Sequence, residues 1–286
     1  MQAPRKPGAQ QGRSPSGDEG WGARSEAQPS GGASLSQVRL PTRERVALLV
    51  QLGVSRLLSP LWIPLTSAIM RFGFDWRVDA EERAAARREY RRLRSESKAP
   101  ILICANHLTM FDSFVIGWGI GYDRDYLRDF GALPWNTPER VRFASNWWKR
   151  ILAYLYKCVP VTRGSDRAEV AKVLDKVRFL LARGQTALVF PEGGRSRTGR
   201  IDVEAAAYGV GRIVTALPGC RVLCVYLRGE SQETWSNLPR RGERFHVSVA
   251  CIEPKSDQRG LRASLDVARQ ITARLAELEQ RYFDGR

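Results

Sequence analysis

From residue 100 onward, short apolar runs alternate with stretches that carry helical spacing. Ile101–Ala105, Val141–Ser145, Cys158–Thr162, Thr186–Phe190, Val222–Leu227 and Phe245–Cys251 read as strands. Residues 110–119, 147–157, 166–183 and 203–216 between them read as helices. Leu261–Tyr282 closes the chain as a long amphipathic helix, with Leu261, Leu265, Ala268, Ile271, Leu275 and Leu278 on one face. Continuous apolar strands alternating with helices predict an α/β fold whose mostly parallel or mixed sheet is covered by helices.

Upstream the pattern is different. Val46–Met70 is the most apolar segment, but Arg56, Pro60 and Pro64 interrupt it, and its longest uncharged run, Leu57–Met70, has 14 residues. A spanning helix needs about 20. The prediction is a helix over 44–58, a break at the prolines and a second helix over 61–73. Such a hairpin would lie half-immersed in one leaflet, with Trp62 and Trp76 at headgroup depth and Arg45, Arg56 and Arg71 reaching lipid phosphates. Asp79, followed by Glu82, reads as an N-cap with its capping-box glutamate. The helix it opens runs to about Leu93 and carries Arg83, Arg87, Arg88, Arg91, Arg92 and Arg94. Several of these are like charges at i,i+4, which an anionic surface would relieve.

Residues 1–35 hold 7 Gly, 4 Pro and 5 Ser without apolar periodicity, and no apolar stretch follows the basic start at Arg5 and Lys6. The expectation is a disordered tail rather than a secretory signal. The predicted organisation is therefore a tail over 1–40, a membrane-docking helix pair over 41–76 and an α/β domain over 77–286.

Composition narrows the classes. The chain of 286 residues is 43% hydrophobic and 27% charged, which excludes a fibrous or wholly disordered protein. Its net charge of +16 calls for an anionic partner: a membrane surface, a nucleic acid or a phosphorylated substrate. Cys104, Cys158, Cys220, Cys224 and Cys251 form no CxxC pair, and two histidines, His107 and His246, argue against a multi-histidine metal site.

The chemistry gathers at strand ends. Ile101–Ala105 runs directly into Asn106-His107-Leu108-Thr109-Met110-Phe111-Asp112. In α/β sheets ligands bind beyond the carboxyl ends of strands. On one helix, His107 and Asp112 would point about 140° apart. If Thr109 caps a helix starting at Met110, the turn folds the imidazole back towards the carboxylate. The aspartate then fixes the tautomer and leaves the other ring nitrogen as a base for deprotonating an alcohol. No GxSxG elbow supplies a serine nucleophile, and Cys104 is expected to point into the sheet. His246, in the alternating run Phe245–Val249, is expected on the more polar face without a catalytic role.

A second strand end reads Phe190-Pro191-Glu192-Gly193-Gly194-Arg195-Ser196-Arg197-Thr198-Gly199-Arg200. A third reads Pro160-Val161-Thr162-Arg163. Paired glycines allow close backbone approach, and the arginines suit a phosphate. The GxxxxGK[ST] nucleotide loop is absent.

At these residues the chain resembles the phospholipid/glycerol acyltransferase family: Asn106-His107 with Asp112, Pro160–Arg163, and Phe190–Ser196 stand in the family's order. The apolar segment before them resembles the membrane-docking hairpin of bacterial 1-acylglycerol-3-phosphate acyltransferases. The resemblance implies that His107, oriented by Asp112, deprotonates an acceptor hydroxyl that attacks an acyl thioester. The thioester is acyl-CoA or acyl carrier protein, acting as co-substrate, with no bound cofactor and no metal. It further implies that Arg163, Arg195 and, more weakly, Arg197 hold the acceptor phosphate. Glu192 would bond the glycerol, Gly193, Gly194 and Ser196 would join the arginines in binding substrate, and backbone N–H groups near Gly193 would polarise the carbonyl or help shape the site. Phe111, Trp118, Trp147 and Trp148 are candidates to line an acyl groove. The implied reaction yields phosphatidic acid from 1-acylglycerol 3-phosphate, at the cytoplasmic face of the inner membrane and among anionic lipids.

The sequence departs from the family at Thr109, where a serine is usual, and at Leu223-Cys224-Val225-Tyr226, which lacks the usual proline. Its glycine–arginine stretch looks more like that of glycerol 3-phosphate acyltransferases. Glycerol 3-phosphate or another lysophospholipid is therefore the alternative acceptor. A nucleic-acid-binding protein or a non-catalytic membrane protein is the alternative of another class, although no zinc finger, basic zipper or RNP-like strand supports nucleic-acid binding.

Overall fold

Apolar strands need both faces covered, and the chain supplies helices for each. The computed structural model describes residues 38–139, 146–162 and 167–285. Six strands form one sheet: β1 (Arg77–Val78), β2 (Ile101–Ala105), β3 (Trp135–Asn136), β4 (Ala187–Val189), β5 (Arg221–Gly229) and β6 (Arg244–Ile252), in the order β1-β6-β5-β2-β4-β3. All pairings are parallel except β5–β6, where Val225 stands opposite Val249. The fold is thus α/β with a mixed sheet. Beyond β3, parallel bridges Asn136↔Cys158 and Glu139↔Val161 continue it, so the expected strand over 158–162 is present in reduced form. The expected strand Val141–Ser145 and the tail through residue 37 lie outside the described residues.

Alternation along the strands builds two cores. Leu102, Cys104, Val222, Cys224 and Tyr226 face α6 (Arg167–Leu181), α7 (Tyr208–Thr215) and α8 (Gly260–Asp284). Helices α7 and α8 pack so closely that a Cβ on Gly211 would fall on the Ser264 carbonyl. Ile101, Ile103, Ala105, Leu223 and Val225 face the opposite way, towards α2 (Ala80–Glu96), α3 (Asp112–Ile120) and the end of α1 (Thr42–Ala68). Short α4 (Asp123–Arg128) and α5 (Trp147–Leu155) complete the described helices.

The N-terminal segment corrects the expectation of a broken hairpin. Helix α1 runs unbroken through Pro60 and Pro64 and passes into a π-helical turn, Ile69–Gly73. Pro60 has no N–H for the Arg56 carbonyl, and the Ser59 hydroxyl donates to that carbonyl instead, at 2.7 Å. Trp62 and Trp76 are buried, not at a surface. Trp62 packs edge-on to Tyr156 at 4.7 Å, and the Trp76 indole N–H donates to the Arg240 carbonyl at 2.9 Å.

Helix α1 is also inverted relative to a soluble amphipathic helix. Its inward face carries the polar Gln51, Ser55 and Ser59 among the apolar Leu48, Trp62 and Ile63. The Gln51 amide donates to the Tyr154 and Cys158 carbonyls, both at 3.1 Å, and Ser55 donates to the Leu155 carbonyl. Tyr154 and Leu155 end α5 and Cys158 follows three residues beyond it, so the polar seat of α1 is made of main-chain carbonyls at and just past that C-terminus. Its outward face carries Leu57, Leu61, Leu65 and, in the following turn, Phe72, with Leu57 79% and Phe72 74% exposed. Over Thr42–Gly73 this helical run is long and apolar enough to cross a membrane.

Helix α2 starts where expected. Asp79 accepts from the Glu81 and Glu82 main-chain N–H groups, at 3.0 and 3.1 Å. The capping box does not close, because Glu82 has another task. Strand β1 stops at Val78, and the Glu82 carboxylate takes the Val247 N–H on β6 at 3.0 Å and His246 Nδ1 at 2.5 Å. The arginine ladder is relieved within the chain as well. Arg92 lies between Glu89 and Glu96, Arg94 pairs with Asp129, and Arg91 lies 3.8 Å from Asp125.

Candidate active site

Strands β2 and β4 are parallel neighbours with Cys104 opposite Val189, so their carboxyl ends emerge side by side. That register brings the two longest sequence signals together. The His107 ring, following β2, stacks on Phe190, following β4, with centroids 3.9 Å apart and planes within 13°. The Ser196 N–H donates to the His107 carbonyl at 2.9 Å and ties the second loop to the first.

The turn after His107 differs in detail from the expectation. Helix α3 starts at Asp112, not Met110. The Thr109 hydroxyl accepts from the Phe111 N–H at 3.1 Å and donates to Asp112 Oδ1 at 2.5 Å. Asp112 Oδ2 accepts from the Leu108 and Thr109 N–H groups at 2.6 and 2.8 Å, and lies 3.0 Å from His107 Nδ1. The buried carboxylate is thus purely an acceptor, and its bond from Nδ1–H leaves Nε2 as the basic nitrogen of the ring. Asn106 anchors the strand end by exchanging two hydrogen bonds with the main chain of Leu227 on β5, at 2.8 and 2.9 Å.

His107 lines a cavity of about 400 Å³. Arg195 lies in the same wall. Its Nη1 donates to the Ser236 carbonyl and to Asn237 Oδ1, both at 2.9 Å, and its guanidinium lies 4.6 Å from the Trp235 ring centre. The rest of the wall is mainly apolar: Ile69 and Met70 after α1, Phe111 and Phe114 around the start of α3, Trp148 and Leu152 on α5. Of the four groove candidates, Phe111 and Trp148 fit. Trp147 is exposed elsewhere on α5, and Trp118 lies beneath Arg83.

The other expected residues are more scattered. Gly193 has φ +65°, the left-handed conformation that suits glycine, and its N–H closes a turn on the Phe190 carbonyl at 3.0 Å. Gly194 follows it, and the Ser196 hydroxyl donates to the Arg200 carbonyl at 2.5 Å. Arg197 is exposed, and it, Gly193, Gly194, Ser196 and Glu192 are not in the cavity wall. Arg163 lies outside the described residues. Cys104 is wholly buried, which pushes its thiol well above the ordinary range and removes it as a nucleophile.

Glu192 accepts from the His107 main-chain N–H, while its Oε1 is buried without a partner among the described residues. Burial first, and the nearby Glu279 carboxylate second, push the Glu192 carboxyl up to about 7 from 4.5. An acid whose folded value lies above its unfolded one stabilises the fold at low pH and loses that contribution on ionising. The wild type is therefore expected to lose thermal stability relative to Glu192→Gln as pH rises from about 4.5 to about 7, the difference levelling off above that. Unfolding midpoints of the two proteins that stay parallel over this window would show that the carboxyl is not desolvated.

A model of the Acyltransferase family matches residues 77–228, more than half of the chain and the whole span from β1 through most of β5. The chain belongs to this acyltransferase family. Comparison with curated proteins gives no match. The matched span of the acyltransferase contains His107, Asp112 and Arg195, whereas α1, β6 and α8 fall outside it. Several contributors to the site escape sequence reading. The loop Trp235-Ser236-Asn237 that fixes Arg195 carries no motif, and Phe190, although it opens the glycine–arginine stretch, gives no sign in the sequence of stacking on His107.

Proposed function

We propose that this acyltransferase moves a fatty acyl group from an acyl thioester, carried by coenzyme A or acyl carrier protein, to the hydroxyl of 1-acylglycerol 3-phosphate. The observation that carries this reading is the cavity itself: its wall holds both an imidazole bonded to a carboxylate and an arginine, with Glu139 and Lys149 as further charged lining residues, and the rest is mainly apolar. A lysophosphatidate has the matching parts, a phosphate, a hydroxyl and a hydrocarbon chain.

In this reading His107 Nε2 takes the acceptor's hydroxyl proton as the oxygen attacks the thioester carbonyl carbon. The carbon–sulfur bond then breaks, and the imidazolium returns a proton to the departing thiolate. Asp112 holds the ring and balances its charge in between. Arg195, with Arg163, binds the acceptor phosphate, while Glu192, outside the cavity wall, positions His107 through its bond to the His107 main-chain N–H. Ile69, Trp148 and Leu152 each line the cavity and are also exposed, so the apolar wall runs on into the outer faces of α1 and α5. A lipid acceptor could enter there without leaving the bilayer, with thioester donors supplied from the cytoplasmic side.

The test is an acceptor panel with oleoyl and palmitoyl thioesters. Lysophosphatidate is expected to react at least about tenfold faster than glycerol 3-phosphate, a difference of about 1.4 kcal/mol in transition-state binding. Faster reaction of glycerol 3-phosphate would overturn the acceptor assignment and leave acyl transfer intact.

A further inference from the structure

A second cleft lies on the other side of α1's C-terminal end from the residues that catalysis would use. It is lined by Arg71 and Phe72 after α1, Arg83 and Arg87 on α2, and Tyr122 and Arg124 at the start of α4, with an open volume of about 660 Å³. Of the acids, Asp123 lines the cleft too, where it accepts from the Ser67 hydroxyl at 2.7 Å, and Asp125 sits 3.8 Å from Arg124. Four arginines thus converge on a space with a single acidic lining residue.

The cleft is built rather than incidental. Arg87 is only 5% exposed. Its Nη2 donates to the Trp118 carbonyl at 2.7 Å, its guanidinium lies 3.7 Å from the Tyr122 ring centre, and its Nε has no partner among the described residues. Arg83 stacks 4.1 Å from the Trp118 ring centre and also has a buried Nε without a partner. Burial, with Arg87 alongside, draws Arg83 down to about 10. Two buried guanidinium groups side by side are costly, and the Asp123 carboxylate in the cleft offsets only part of that cost, which a further anion would relieve. The cleft's rim is the exposed Phe72, continuous with the apolar outer face of α1.

We infer that this arginine cleft is a non-catalytic headgroup site for an anionic phospholipid of the bilayer, whose phosphate sits among Arg71, Arg83, Arg87 and Arg124 while its chains lie along α1. The combination selects a molecule with a phosphate at one end and hydrocarbon at the other. Occupancy would fix the rotation of α1 against the lipid and so present the catalytic cavity to the membrane. The inference does not depend on which acceptor the enzyme uses.

The test compares wild type with Arg71→Gln/Arg124→Gln, two exposed residues, and leaves the buried Arg87 in place. A charge-matched control, Arg259→Gln/Arg262→Gln, alters exposed arginines at the start of α8, which packs on the opposite face of the sheet. Binding of the full-length protein is measured on phosphatidylcholine vesicles with and without phosphatidylglycerol, and with inorganic phosphate as competitor. The cleft variant is expected to lose about 5-fold per arginine in preference for anionic vesicles, with binding to neutral vesicles unchanged. Control and cleft variants losing that preference equally would reduce the effect to net charge and overturn the site. Abolition of the preference by millimolar-range inorganic phosphate at constant ionic strength would overturn the lipid as ligand in favour of a soluble anion. Acyl transfer to a short-chain acceptor in neutral vesicles reads the active site separately, and is expected to be the same in all three proteins.

Discussion

Replacement of His107 by alanine is expected to lower acyl transfer by about 10²–10⁴-fold, the usual contribution of a positioned general base. The fold should survive. After truncation the Asp112 carboxylate still accepts from the Leu108 N–H, the Thr109 N–H and the Thr109 hydroxyl, so no buried charge loses all its partners. Asp112→Ala makes the informative contrast. It leaves those three donors facing an empty site, and unmet buried donors cost about 1–3 kcal/mol each. That variant should therefore lose both activity and thermal stability, where His107→Ala loses activity alone. A purified, folded His107→Ala protein with near-wild-type turnover would remove the imidazole from the mechanism.

What the sequence reveals here follows the range of each force. Strand–helix alternation is local: of the strands it indicates among the described residues, β2, β4, β5 and β6 appear and Cys158–Thr162 is reduced to two bridges, while the long terminal helix is present and the two-residue β1 and β3 carry no such signal. The His107–Asp112 pairing also lies within one turn of chain, so its spacing suffices to suggest it. The start of α3 is misplaced by two residues: the Thr109 hydroxyl accepts from the Phe111 N–H as a cap would, but the helical bonds begin only at the Phe111 carbonyl. Readings that depend on distant partners fare worse. The prolines of α1 predict a break, but Ser59 supplies the missing donor and α5 gives the helix a polar seat. Glu82 fits a capping box by spacing, yet the bare edge of β6 claims it. Trp62 and Trp76 fit an interfacial belt by composition, yet both fill the core. The sequence suggests Arg195 for a phosphate but carries no sign that Trp235, Ser236 and Asn237, some 40 residues on, hold its side chain.

The inverted polarity of α1 yields the second large effect. Leu57, Leu61 and Leu65 recur every fourth residue on its outward face and are 79%, 73% and 59% exposed. In a water-soluble protein that stripe would be polar, and the inward positions held by Gln51, Ser55 and Ser59 would be apolar. Here the chain spends its polar side chains on packing and offers its leucines outward, an arrangement that a hydrocarbon phase stabilises and water does not. Full burial of a leucine contributes about 1.5–3 kcal/mol, and the lower figure suits side chains that keep some contact with the helix surface. Changing all three to glutamine should then cost about 4–5 kcal/mol of lipid affinity, on the order of a 10³-fold fall in partitioning to neutral vesicles. Glutamine is nearly as good a helix former as leucine, and no core contact is lost, so the thermal unfolding midpoint should stay put. Flotation with neutral vesicles checks this apart from any headgroup charge. A triple variant that floats like the wild type would mean that this face meets another protein surface rather than lipid, and the cavity wall formed by Ile69, Trp148 and Leu152 would then open towards that partner.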